Sequence, residues 1–246
     1  MKQSIQNQEE AKCWICGDIA DSGEHMIKQS DLKQIFPETS QKHPIYTQKN
    51  GELQKQKIGG LKSDKFHFAT KICKECNGNL SHNFDEAWRI LSKYIHDNWK
   101  RISIDGKINL VKVFGLTYKK DMLFVQLYFG KIFTTKLLGS GVELSLSAFS
   151  EALLNSIEIE NFYINFRYSN KPPNYVASSD VQVCTEKGKD KIIYIQHFCT
   201  IGEISIDMIY SKDIEGLNLY GALKPSQFTD TIKLAQLNYN QNYIKR

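Results

Sequence analysis

Between residues 81 and 99 apolar side chains return at three- and four-residue steps: Phe84, Ala87 and Trp88, Leu91, Tyr94 and Ile95, then Trp99. That spacing lays one broad apolar stripe along a helix and predicts an α-helix over 81–99, polar on its other face. Asn83 with Glu86 fits a capping-box start, and Asn77 is placed to cap an earlier one. Residues 30–36 form a shorter helical stretch that stops at Pro37, because proline pushes the residue before it out of the α region. Residues 45–58 flank Asn50-Gly51, a dipeptide suited to a type I′ turn, and predict a two-stranded arm or a flexible loop.

Beyond residue 100 the pattern changes. Residues 101–114 alternate around Asp105-Gly106, and 122–129 with 131–136 read as a strand pair across Gly130. Residues 161–168, 181–185, 191–200 and 203–210 read as further strands. Phe149, Leu153 and Ile157 place a helix over 147–157, and a closing helix is predicted over 226–237. Helical crossovers are too few for a parallel sheet, so the fold class is α+β with mainly antiparallel pairing. No internal repeat, Walker loop, GxGxxG, GxSxG or HExxH is present.

Composition sharpens the division. Of 246 residues, 41% are hydrophobic and 24% charged, which excludes wholesale disorder and fibrous repeats. Up to Lys100 lie four of the six cysteines, five of the six histidines and all three tryptophans, whereas ten of the twelve tyrosines come later. Chemistry-bearing residues are thus separated from filler, and two units are expected: a functional module over 1–100 and a larger α+β domain over 101–246. The net charge is +5 (32 Lys+Arg against 27 Asp+Glu). Six lysines and three acids give the stretch 37–65 a charge of +3, so Lys49, Lys55 and Lys57 are candidate phosphate contacts, against the plainer reading of a solvated loop. Arginines number only four, which leaves few groups for bidentate base reading. No apolar run reaches the roughly 18 residues of a membrane span and the first twelve residues are polar, so a reducing, cytoplasmic setting is expected.

In such a setting two CxxC pairs, Cys13/Cys16 and Cys73/Cys76, read as one tetrahedral structural zinc site, each knuckle supplying two thiolates. The 56 residues between Cys16 and Cys73 mean that something sizeable is clamped between the knuckles. A redox disulfide would account for one CxxC but not for two. Inside the clamp lies Glu24-His25, and Asn77 follows the last cysteine directly.

The order CWICG, GEHMI, ICKECN over residues 13–99 resembles the HNH endonucleases of ββα-metal fold. The resemblance implies a metal-dependent hydrolase of DNA that leaves 5′ phosphate and 3′ hydroxyl ends, of the kind found in restriction, homing or phage defence. It further implies that Glu24 and Asn77 hold a divalent ion, Mg²⁺ or Mn²⁺, and that His25 is the general base. A neutral imidazole with a pKa near ~6.5 suits that task, and hard oxygen ligands suit such ions. Zinc would then only fix the segment carrying Glu24-His25 against the helix carrying Asn77.

The chain departs from the family pattern at three places. Lys28 stands where many members have a proline, and His67 is the candidate replacement for an asparagine that braces the hairpin. Ser81 falls at the third position of the HNH name, with His82 and Asp85 as neighbouring candidates for a third ligand. Two readings stay open: a nuclease with DNA as its partner, possible as a homodimer if both strands are cut, or a non-catalytic four-cysteine zinc module that binds nucleic acid or protein.

Overall fold

The computed structural model describes residues 11–48, 54–186, 191–212 and 221–235. After a first knuckle at Cys13–Cys16 the chain forms β1 (Ser22–His25), α1 (Gln29–Ile35), a small antiparallel pair β2 (Ile45–Thr47) and β3 (Gln56–Ile58), and then β4 (His67–Ile72). Strand β4 returns antiparallel to β1, and the second knuckle leads through a wide π turn (Cys76–Leu80) into α2 (His82–Asp105). The predicted helix over 81–99 is thus present and runs further. Its apolar stripe Phe84, Ala87, Trp88, Leu91 and Ile95 is buried. It ends where Gly106 takes a left-handed φ of 66° and its amide caps Ile102, a conformation glycine adopts without steric penalty. The expected Asn83–Glu86 capping box is not formed; Ser81 is the N-cap and makes no side-chain cap bond.

Next come β5 (Lys107–Asn109), α3 (Leu110–Phe114), α4 (Tyr118–Leu138) and α5 (Ser147–Asn155). Here the expected strand pair over 122–136 is replaced by one long helix, α4. Thirteen of its residues are buried, on all sides. A helix enclosed by protein needs no polar face, so its sequence lacks the period that marks an amphipathic helix.

The remaining strands are β6 (Phe162–Tyr168), β7 (Val176–Ser178), β8 (Gln182–Thr185), β9 (Ile192–Ile201) and β10 (Ile204–Tyr210). They make one antiparallel sheet in the order β6-β10-β9-β7, with β8 also on β9. A buried Arg167–Asp207 ion pair joins β6 to β10. The predicted closing helix over 226–237 is absent among the described residues: its place is taken by a 3₁₀ turn, Pro225–Gln227, and by β11 (Thr231–Lys233), which pairs with β5. The fold is therefore mixed α+β with antiparallel sheets, as the strand pattern predicts.

Helix α4 touches α2 and β4 on one side and β6 and β10 on another. The apolar core consequently runs without a break from Cys13 through Trp88 and Phe133 to Leu234. Both α2 and this core cross the boundary expected at residue 100.

Candidate functional site

The four cysteine sulfurs come from two tight turns. In the first, Gly17 N–H donates to Cys13 C=O at 2.8 Å and Cys13 N–H to Asp18 C=O at 2.6 Å, with Gly17 at a φ of 85°. In the second, Cys76 N–H donates to Cys73 Sγ at 3.3 Å. All four sulfurs lie within 4.8 Å of one another, and Cys16 Sγ is 3.5 Å from Cys73 Sγ. Tetrahedral zinc with ~2.3 Å Zn–S bonds needs sulfurs ~3.8 Å apart, so the set is compatible with such an ion. Burial, and then the neighbouring thiols of Cys73 and Cys16, push the Cys76 thiol far above its ordinary value. Burial also raises the Cys16 thiol, to about 11, whereas at Cys13 burial is outweighed by backbone hydrogen bonds, which lower it; a divalent soft metal would neutralise thiolates gathered in this way.

Glu24 and His25 occupy the end of β1. The β1/β4 register slips between Gly23 and His25, an irregularity of the kind that re-aims side chains. His25 then faces His67 across the strands, their ring centroids 3.8 Å apart, and a Cβ on Gly23 would meet His67 Cδ2 at 3.2 Å. His67 thus packs in the crook of β1. Burial first, and then the nearby His67 and Lys131 charges, hold His25 below the usual histidine pKa, so its ring is neutral at pH 7. Its Nε2 is buried without a partner among the described residues.

Asn77 ties the opening of the helix to the same strand. Its Nδ2 donates to Ser22 Oγ at 2.8 Å and to Gly23 C=O at 3.1 Å, while its own carbonyl accepts from Ser81 Oγ at 3.0 Å. Three short segments that lie up to 60 residues apart in sequence are in this way gathered at one place.

Charged groups complete it. Glu24, only 6% exposed, faces Lys131 Nζ on α4 at 3.1 Å. Lys131 is 1% exposed; its Nζ also donates to Ser81 Oγ at 3.1 Å and lies 3.6 Å from Asp85 Oδ1. Lys28 approaches Asp85 from the other side, 3.7 Å from Oδ1 and 2.5 Å from the backbone carbonyl. Burial alone would lower the pKa of Lys131, but the Glu24 and Asp85 carboxylates outweigh it and hold the ammonium charged.

Of the residues expected to hold Mg²⁺ or Mn²⁺, Glu24 and Asn77 are brought to adjoining positions, and His82 is exposed at the start of α2. As arranged they do not fit a divalent ion: the Glu24 carboxylate already has a cation, and the cysteines are the one ligand cluster among the described residues. Lys131 was not a sequence candidate. It sits in an apolar run, and only its isolated charge among Phe129, Gly130, Ile132 and Phe133 signals it. In the basic segment, Lys55 and Lys57 are exposed beside or on β3, and Lys49 lies outside the described residues.

No family profile, curated protein or solved structure matches this chain. No described helix is long and apolar enough to cross a membrane.

Proposed function

We propose that residues 13–105 form an HNH-type module that hydrolyses phosphodiester bonds in nucleic acid, with DNA as the expected substrate. One observation carries this reading: Glu24-His25 on a strand and Asn77 at a helix opening are held together by the Asn77 amide, with a four-cysteine cluster at the base. His25, neutral at pH 7, takes the proton of a water that attacks phosphorus, while the 3′ oxygen leaves with the bond electrons. Zinc contributes no step; it holds the two knuckles, and so the strand and the helix, in register. Exposed Lys55 and Lys57 supply charge for the phosphate backbone.

A second reading, a non-catalytic zinc module that binds nucleic acid or protein, is favoured by the Glu24–Lys131 ion pair, because it leaves no carboxylate for a catalytic ion. One assay separates the two. Supercoiled, linear and single-stranded DNA are incubated with the protein, with and without Mg²⁺ or Mn²⁺. Nicking or cleavage is expected, and His25→Ala is expected to reduce it at least 100-fold, the scale of a lost general base, while zinc content and the melting curve stay unchanged. Full activity in that variant removes His25 from the mechanism. An inactive wild type that still binds DNA supports the second reading.

A further inference from the structure

We infer that Lys131, delivered by α4, is the resident cation of the Glu24–Asp85 site and excludes a divalent ion from it. Three oxygen atoms surround its ammonium: Glu24 Oε2 and Ser81 Oγ at 3.1 Å each and Asp85 Oδ1 at 3.6 Å. Glu24 Oε2 and Ser81 Oγ lie within hydrogen-bond reach of the ammonium, and Asp85 adds an ion pair at longer range. Charge closes as well, since Lys28 and Lys131 balance Glu24 and Asp85. A divalent ion added to this set would leave it with a surplus of two positive charges in a largely buried place, and withdrawing Lys131 alone would still leave a surplus of one.

Lys131 cannot withdraw easily. It stands on a helix enclosed on every side, with Phe129, Ile132 and Phe133 beside it fully buried. Its side chain is buried, and removing it would leave the buried Glu24 carboxylate without its cation. The hydrogen bonds run on from it: Lys131 donates to Ser81, Ser81 to the Asn77 carbonyl, and the Asn77 amide to Ser22. One residue of the chain's later half is thereby wired to the strand that carries His25. Residues 13–99, where the sequence motifs lie, do not form a complete site alone.

Manganese titration of the full zinc-loaded chain, followed by electron paramagnetic resonance, tests this, because Mn²⁺ takes the same oxygen ligands as Mg²⁺. Wild-type protein is expected to leave the Mn²⁺ signal as it is in buffer. Lys131→Met is expected to take up one equivalent, and Glu24→Gln added to it to abolish that uptake. One equivalent bound by the wild type and lost in Glu24→Gln overturns the inference, as does a folded Lys131→Met that binds none. Should Lys131→Met not fold, the ammonium is read directly in the wild type by ¹⁵N resonance. A slowly exchanging Nζ signal, absent in Lys131→Arg and undiminished by Mn²⁺, upholds the inference, and its loss on adding Mn²⁺ overturns it. Neither readout depends on catalysis, so the inference and the proposed hydrolysis can fail separately.

Discussion

Asp31 shows how much one buried side chain can connect. It is fully enclosed at the start of α1 and accepts Trp88 Nε1–H at 2.8 Å and Ser92 Oγ–H at 2.6 Å, both from α2. Burial raises its carboxyl pKa to about 6, although the Ser92 and Trp88 hydrogen bonds and the Lys28 charge pull it down. The folded protein therefore holds this proton more tightly than the unfolded chain, whose value is 3.8. Its contribution to stability is greatest below pH 4 and falls as pH rises to about 6, by about 3 kcal/mol. Urea melts of wild type and Asp31→Asn should show that difference: from pH 4 to pH 7 the wild type should lose about 3 kcal/mol relative to the variant. Equal slopes would mean that Asp31 titrates as an exposed carboxylate. At this scale the sequence showed Trp88 as a core residue and nothing of its acidic partner 57 positions away. Nor could it show that His25 meets His67, because no local pattern reports a contact between distant strands.

Among the elements, α2 and α4 make an instructive pair. The stripe on α2 is legible because its other face is wet, but the hairpin expected around Asp105-Gly106 over 101–114 is replaced by the last turn of α2, the short β5 and α3, because that dipeptide serves a left-handed helix cap as well as a hairpin turn. Over 125–135 helix α4 has no wet face, so its β-branched and aromatic residues read as strands and Gly130 as the turn between them. In the fold Gly130 is instead the place where Ile159 lies against the helix: a Cβ there would come within 2.2 Å of Ile159 Cδ1, with Phe149 Cδ1 next at 3.8 Å. Ile159 and Phe149 are fully buried. Gly130→Ala should accordingly destabilise the protein by about 1–2 kcal/mol, against the ~1 kcal/mol gain an exposed helical glycine would give. Chemical denaturation decides between the two signs. The closing helix expected over 226–237 failed for a related reason: β11 gains its hydrogen bonds from β5, more than 120 residues earlier, and a window around it contains no sign of that partner.

For the whole molecule, the four-cysteine cluster and the apolar core bear on the same segments. Cys73→Ser should remove the metal, from one equivalent to none, and lower the melting temperature by about 10 °C or more, given that structural zinc contributes several kcal/mol. Metal analysis and a thermal melt followed by circular dichroism test both halves. A metal-free variant with an unchanged melt would show that the core alone holds β1 against α2. Because that core continues from the cysteines to the sheet, one lowered transition is expected in place of a separate melt of the first hundred residues. The sequence by itself determined the cysteine spacing, the Glu24-His25 and Asn77 motifs, the α2 stripe and the antiparallel strands of the later half. Each of these is written in residues close together in the chain, where periodicity and ligand spacing act. Only the tertiary structure decided that an apolar run is a central helix and that α2 and the core pass through the expected boundary. It also decided that Lys131 stands opposite Glu24. Burial on all sides erases the periodic signal, and pairing across more than 100 residues depends on what the folded chain brings together.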